Sequence, residues 1–165
     1  MEALLRAATA EDTRGIGEAL APALRPSDTV LLTGELGAGK TTFVQGVARG
    51  LDIQDPIVSP TFTLIKEYSG RLDVAHVDVY RLDRLQDVVD LGLDELGGGE
   101  DVLLVEWGDM VEELLPAQRL RVELTSEDPE GGSDARRILI GARGPSWEER
   151  WAELVSSLAP WSLPS

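Results

Sequence analysis

Residues 29–42 read TVLLTGELGAGKTT, and this stretch decides the fold of the chain. The apolar run at 29–33 predicts a buried strand, and residues 40–50 have helical character. Between them, two glycines with four residues between them precede Lys40 and Thr41, which is the pattern of a phosphate-binding loop. A strand, a glycine-rich loop and a helix in this order predict an α/β fold of the P-loop NTPase type.

The loop also predicts where the polyphosphate of a nucleotide binds. Backbone N–H groups and the positive end of the following helix would surround the phosphates. Lys40 is expected at the β- and γ-phosphates, Thr41 at a bridging Mg²⁺ ion, and Thr42 near the α-phosphate. The candidate nucleotide-binding residues of the loop are Gly34, Glu35, Leu36, Gly37, Ala38, Gly39, Lys40, Thr41 and Thr42.

Acidic residues follow two further predicted strands. A P-loop enzyme needs an acid near its metal, usually at the end of a neighbouring buried strand, and Glu106 directly follows the apolar run 102–105. In the segment 76–80, strand periodicity places His76, Asp78 and Tyr80 on one face. That face is either a wall of the site or the solvent side of an edge strand. Glu106 and Asp78 are the candidates for binding the metal and orienting water, and the sequence leaves open which of them orients the water.

Two more candidates come from their positions in the chain. Thr61 lies in Ser-Pro-Thr-Phe, residues 59–62, where other P-loop proteins carry a segment that responds to the γ-phosphate. Thr61 is therefore expected near that phosphate or the metal, although Ser-Pro-Thr is also ordinary turn chemistry. Trp107 directly follows Glu106 and either covers the nucleotide or closes the core.

The rest of the pattern predicts a single domain, residues 1–165, with a mixed β-sheet flanked by helices. The length suits one domain of about 100–200 residues. The expected elements are a helix over 10–24, a hairpin of strands 62–68 and 72–80, a helix over 84–96, an antiparallel pair at 120–124 and 137–140 around an exposed acidic loop, and a C-terminal helix over about 146–158. The last helix is expected to start with a capping box at 146–149.

The composition excludes several functions. The chain has 15 Lys plus Arg against 30 Asp plus Glu, a net charge of −15 that disfavours direct contact with nucleic-acid phosphates or an anionic membrane. The absence of cysteine excludes disulfides and Cys-ligated zinc. No apolar run approaches about 18 residues, and no targeting segment is evident at the N-terminus. We expect a soluble cytoplasmic protein.

Several motifs occur here in the order of one known family. They are the P-loop at 34–42, Ser-Pro-Thr-Phe at 59–62, His-Val-Asp-Val-Tyr-Arg at 76–81, Leu-Gly-Leu-Asp-Glu at 91–95 and Val-Glu-Trp at 105–107. In these motifs, over roughly residues 10–125, the sequence resembles the bacterial TsaE family, also called YjeE.

The resemblance implies a small Mg²⁺-dependent ATPase required for making threonylcarbamoyladenosine on tRNA. Family members are understood to bind the TsaD–TsaB complex, which attaches the threonylcarbamoyl group, and to use ATP to permit repeated turnover. The resemblance assigns Lys40 and Thr41 to phosphate and Mg²⁺, Glu106 and Asp78 to metal or water, and Thr61 to the switch segment. An acidic protein can serve this role if tRNA is contacted only indirectly, through a partner with a basic surface.

Other functions remain open on the sequence alone. A small-molecule P-loop kinase would use the same loop, although Arg81, Arg84, Arg136 and Arg137 form no recognisable lid pattern. A non-catalytic nucleotide-binding module would use ATP only to stabilise a partner-binding conformation. A GTPase is disfavoured because the sequence contains no Asn-Lys-x-Asp motif for guanine.

Overall fold

The computed structural model describes residues 1–58, 65–79, 85–90, 92, 99–106 and 112–164. The strands are β1 (Glu2–Ala7), β2 (Thr29–Thr33), β3 (Ile65–Tyr68), β4 (Val74–Asp78), β5 (Val102–Glu106), β6 (Arg119–Ser126) and β7 (Arg136–Arg143). The helices are α1 (Ala10–Leu20), α2 (Lys40–Gly50), α3 (Leu85–Asp90) and α4 (Pro145–Ser157). Short 3₁₀ turns are formed by Ala21–Ala23, Glu112–Leu114 and Ala159–Trp161.

All seven strands belong to one sheet with the order β1-β7-β6-β2-β5-β4-β3. The central strands β6, β2, β5 and β4 run parallel, whereas β1, β7 and β3 pair antiparallel with their neighbours. This arrangement confirms the predicted α/β fold with a mixed sheet. The carboxyl ends of β2, β4 and β5 lie at the same edge, which is where open α/β sheets bind their ligands.

Both faces of the central strands are covered. One face packs against α1, α2 and α4 through a cluster that includes Ile16, Phe43 and Trp147. The other face carries a smaller cluster with Val77 and Val105. Because both faces are covered, β2, β4 and β5 are buried at every residue. Strands β2 and β5 carry consecutive apolar residues at 30–32 and 102–105 instead of an alternating pattern.

Most predicted elements are confirmed where the structure describes them. The hairpin of β3 and β4 and the antiparallel pair of β6 and β7 are both present. The first helix ends earlier than predicted, at Leu20, because Pro22 falls in a 3₁₀ turn. The N-terminal apolar piece forms the edge strand β1. Among the described residues, no helix is long and apolar enough to cross a membrane.

The predicted capping box of the last helix is wrong. The helix begins at Pro145 with Gly144 at the N-cap, so Ser146 already lies inside its first turn. Proline at the first helical position has a preset φ that suits helix initiation, and this moves the start towards the N-terminus. The Ser146 hydroxyl instead accepts a hydrogen bond from the Arg150 side chain at 2.7 Å.

Candidate nucleotide-binding site

The loop between β2 and α2 depends on glycine at two positions. Gly34 has φ of +143°, and a Cβ atom there would lie 2.5 Å from the carbonyl oxygen of Leu124 on the neighbouring strand β6. Gly39 is the N-cap of α2 with φ of +101°, a left-handed conformation that side chains disfavour. The two glycines that define the sequence pattern are therefore required by close packing and by backbone geometry.

Lys40, the first residue of α2, folds back over this loop. Its Nζ atom donates hydrogen bonds to the carbonyl oxygens of Gly34 at 2.5 Å and Glu35 at 3.0 Å. Burial lowers the pKa of Lys40, and the negative charges of Glu106 and Asp78 partly oppose that shift. The ammonium group thus lies inside the loop, next to two carboxylates, where a bound anion could reach it.

Strands β4 and β5 supply those carboxylates side by side. Asp78 and Glu106 are register partners at the ends of the two parallel strands and are only 6% and 2% exposed. The Thr41 hydroxyl donates a hydrogen bond to Glu106 Oε1 at 3.3 Å, and His76 Nε2 lies 3.5 Å from the same oxygen. The structure therefore brings together Thr41, Asp78 and Glu106, the residues predicted to bind the metal.

The interpretation of β4 as an edge strand is wrong. Strand β3 pairs with its outer side, so β4 does not lie at the edge of the sheet. The face of β4 that carries His76 also carries Val74, which packs in the larger cluster, and the His76 side chain is fully buried instead of facing solvent. Neither ring nitrogen of His76 has a hydrogen-bond partner among the described residues. Buried polar atoms without partners are uncommon in proteins, and they concentrate at sites that have other roles.

A cleft of about 610 Å³ lies between the loop and the β6–β7 connection. Its lining includes Gly34 and Leu36 on one side and Asp128, Asp134 and Arg136 on the other. Arg136 donates hydrogen bonds to the loop carbonyls of Gly37 and Ala38. The sequence indicates Arg136 only as a candidate for a kinase lid, because nothing local to it points to a loop about 98 residues earlier in the chain.

The remaining candidates have different outcomes. Thr42 lies in the first turn of α2, half-buried, directly after Thr41. Thr61, Tyr80 and Trp107 lie outside the described residues, so their roles remain predictions.

The sequence matches the family model described as "Threonylcarbamoyl adenosine biosynthesis protein TsaE" over residues 7–138. It is 43% identical over 150 residues to a tRNA threonylcarbamoyladenosine biosynthesis protein TsaE from Bacillus subtilis, covering 90% of this chain and 91% of that protein. The protein of the same name from Treponema pallidum is 45% identical over 116 residues, covering 70% and 86%. The fold matches the crystal structure of YdiB from Bacillus subtilis with a TM-score of 0.76 and 38% identity, covering 97% of this chain and 95% of that chain.

Proposed function

Because the chain belongs to the TsaE family and takes part in tRNA threonylcarbamoyladenosine biosynthesis, we propose that it binds and hydrolyses ATP with Mg²⁺, as a switch acting on the TsaD–TsaB complex. One observation carries the proposal. The loop lysine and the loop threonine lie beside two buried carboxylates from neighbouring strands, the set of groups that a P-loop ATPase uses.

Phosphate binding follows from the loop and its lysine. The amide groups at the start of α2 and the helix dipole favour a polyanion at this position. Lys40 would exchange its bonds to the carbonyls of Gly34 and Glu35 for bonds to phosphate oxygens. The exchange costs little because the ammonium group is already withdrawn from water.

The oxygen donors near the loop suit a hard cation. The Thr41 hydroxyl and the carboxylates of Glu106 and Asp78 are the ligand types that Mg²⁺ prefers. Among the described residues no three His, Cys, Asp or Glu side chains form a complete metal site, so phosphate and water oxygens would supply the remaining ligands. When bound, the ion would neutralise charge on the phosphates.

Hydrolysis requires a group that orients water for attack on the γ-phosphate. Glu106 and Asp78 are the two candidates, since both lie at the edge of the sheet that carries the loop. Burial keeps bulk water away from these carboxylates, which strengthens their interaction with a single bound water.

The nucleoside of ATP needs a site beside the phosphate loop. We assign it to the cleft next to the loop, because the cleft volume of about 610 Å³ falls within the range of small-molecule sites.

The net charge of −15 disfavours affinity of the chain itself for tRNA. The protein therefore acts in the cytoplasm by docking on partner proteins, which contact the tRNA.

The decisive experiment measures ATP binding and hydrolysis by the wild type, Glu106→Gln and Asp78→Asn, each alone and with TsaB and TsaD. We expect the partners to stimulate the wild type. The variant at the water-orienting carboxylate should bind ATP within about threefold of the wild type but hydrolyse it at least about tenfold more slowly.

Other results would reject parts of the proposal. ATP binding without hydrolysis in the presence of both partners would favour a non-catalytic module. Phosphate transfer to a metabolite instead of water would favour a kinase. Tight, salt-sensitive binding to bare tRNA would contradict the indirect role in tRNA modification.

A further inference from the structure

Arg136 connects two loops that lie far apart in the sequence. It is the first residue of β7, and its guanidinium group spans the gap between the β6–β7 connection and the phosphate loop. It donates to the loop carbonyls of Ala38 from Nε at 3.0 Å and Gly37 from Nη2 at 3.2 Å. Nη1 donates to the carbonyls of Ser133 at 3.1 Å and Ala135 at 3.0 Å. All four acceptors are backbone oxygens, two from each loop.

These bonds fix the orientation of peptide planes in the phosphate loop. In a trans peptide the C=O and the following N–H point in opposite directions, and the described residues contain no cis peptide. Holding the Ala38 carbonyl towards Arg136 therefore turns the Gly39 N–H away from it. The preceding peptide plane, between Gly37 and Ala38, is held by two hydrogen bonds. The Gly37 carbonyl accepts one from Arg136, and the Ala38 N–H donates one to the Glu35 carbonyl at 3.0 Å.

The loop needs such an external restraint. Glycines at positions 34, 37 and 39 have positive φ and many alternative conformations. Ordering a flexible backbone costs conformational entropy, and a loop ordered only by its ligand would bind that ligand less tightly for this reason.

Charge neutralisation does not explain the placement of Arg136. The β6–β7 connection carries four acidic residues, and Arg136 forms no ion pair with any side chain that the structure describes. The guanidinium group binds carbonyl oxygens instead of the nearby carboxylates. The acidic residues of this connection are Glu127, Asp128, Glu130 and Asp134.

We propose that Arg136 is a positioning residue, which holds the phosphate loop in the conformation that points the Gly39 N–H away from Arg136 and towards the polyphosphate. The inference rests on the nucleotide binding of the proposed function. Through Arg136, the β6–β7 connection contributes to nucleotide affinity without contacting the reacting atoms.

The test compares the dissociation constant for ATP of the wild type, Arg136→Ala, Arg136→Lys and Arg137→Ala. Arg137 is the matched control, because it is the next residue, its side chain is 62% exposed and it lies 3.5 Å from Glu127. We expect at least about a tenfold loss of affinity for Arg136→Ala, and a loss within twofold for Arg137→Ala. Arg136→Lys keeps the positive charge but not the planar guanidinium group with its several N–H donors. Its affinity for ATP should be at least about threefold lower than that of the wild type.

A second measurement separates loop positioning from general stability. In the absence of nucleotide, the backbone amides of Gly39 and Lys40 should exchange with solvent faster in Arg136→Ala than in the wild type. The exchange rates in the central strands should not change.

ATP affinity of Arg136→Ala within twofold of the wild type would overturn the inference and leave the proposed function intact. Equal affinity of Arg136→Lys and the wild type would also overturn it, and this variant decides if Arg136→Ala fails to fold. A wild type that does not bind ATP would instead reject the proposed function, and the inference with it.

Discussion

Two buried charged clusters lie at opposite ends of β2, and they differ in how completely their hydrogen bonds are satisfied. Asp28 directly precedes the strand and pairs with Arg150 of α4. The candidate site, with Lys40, Thr41 and Glu106, lies beyond the other end of the strand. Both clusters remove charge from water, which proteins tolerate only when something compensates the loss.

In the pair at the start of β2, every donor of Arg150 is used. Arg150 donates to both carboxylate oxygens of Asp28 at 2.7 and 3.0 Å, to the Ala23 carbonyl, and to both the carbonyl and the hydroxyl of Ser146. All five N–H groups of the guanidinium are therefore used. Its carbon also lies 3.7 Å from the centre of the Trp147 ring.

The cluster at the other end has looser contacts. Glu106 has a hydrogen bond of 3.3 Å from Thr41 and a contact of 3.5 Å with His76, whose ring nitrogens lack hydrogen-bond partners among the described residues. The Asp28 pair uses every donor of the Arg150 guanidinium and stabilises the fold. Within the part of the chain that the structure describes, Glu106 accepts one hydrogen bond and the His76 ring takes part in none, which is expected of a site that receives a ligand.

The largest expected effect is the loss of stability when the ion pair of Arg150 with Asp28 is broken. Arg150→Ala leaves the Asp28 charge buried without its partner, and we expect a loss of about 3–5 kcal/mol in the free energy of unfolding. Urea denaturation measures it. Arg25→Ala is the control, because its exposed side chain is removed while its backbone N–H still donates to Asp28 at 2.7 Å. A loss below about 1 kcal/mol for Arg150→Ala would contradict the structural role of the pair.

The second effect is a loss of ATP affinity with little change in the stability of the fold. Lys40→Ala should weaken ATP binding at least about 100-fold, or about 2.7 kcal/mol, as measured by titration calorimetry. Its unfolding free energy should change little, because burial already disfavours the ammonium form and lowers the pKa of Lys40. The other lysine, the exposed Lys66, lies 5.6 Å from the Tyr68 ring centre and provides the control. A stable Lys40→Ala variant with unchanged ATP affinity would contradict the assignment of the loop.

The smallest effect concerns a carboxylate near the surface. The hydrogen bond from Trp161 and those from Thr9 and Ala8 lower the pKa of Asp12. A lowered folded pKa contributes stability that is complete above the ordinary aspartate value of about 4 and is lost as the pH falls through the folded value. Asp12→Asn should lower the free energy of unfolding by about 1 kcal/mol at pH 7. The difference in unfolding free energy between this variant and the wild type should shrink below pH 4.

Denaturation curves at several pH values test this dependence. Glu148→Gln, which changes an exposed acid in the first turn of α4, is the comparison variant. Its unfolding free energy should differ less from that of the wild type than the unfolding free energy of Asp12→Asn does. A difference between Asp12→Asn and the wild type that stays constant from pH 7 to pH 3 would show that the charge of Asp12 does not contribute.

Much of the candidate site could be predicted from the sequence because the patterns that indicate it are local. The spacing of Gly34, Gly39 and Lys40 reflects constraints of one tight loop, and the structure shows the reason for each glycine. Glu106 could be placed because it directly follows an unbroken apolar run, the pattern of a strand buried on both faces. The position of Asp78 was harder to predict, since an alternating strand fits an edge as well as an interior position.

The sequence by itself determined most of the described secondary-structure elements, the α/β class and the positions of the loop glycines, because these depend on residue periodicity and backbone conformation within short windows. Only the tertiary structure decided the strand order, the pairing of Asp78 with Glu106, the ion pair of Asp28 with Arg150 and the contact of Arg136 with the loop. Each of these joins residues that lie far apart in the chain. Their partners are fixed by how the strands and helices pack, which no local pattern specifies.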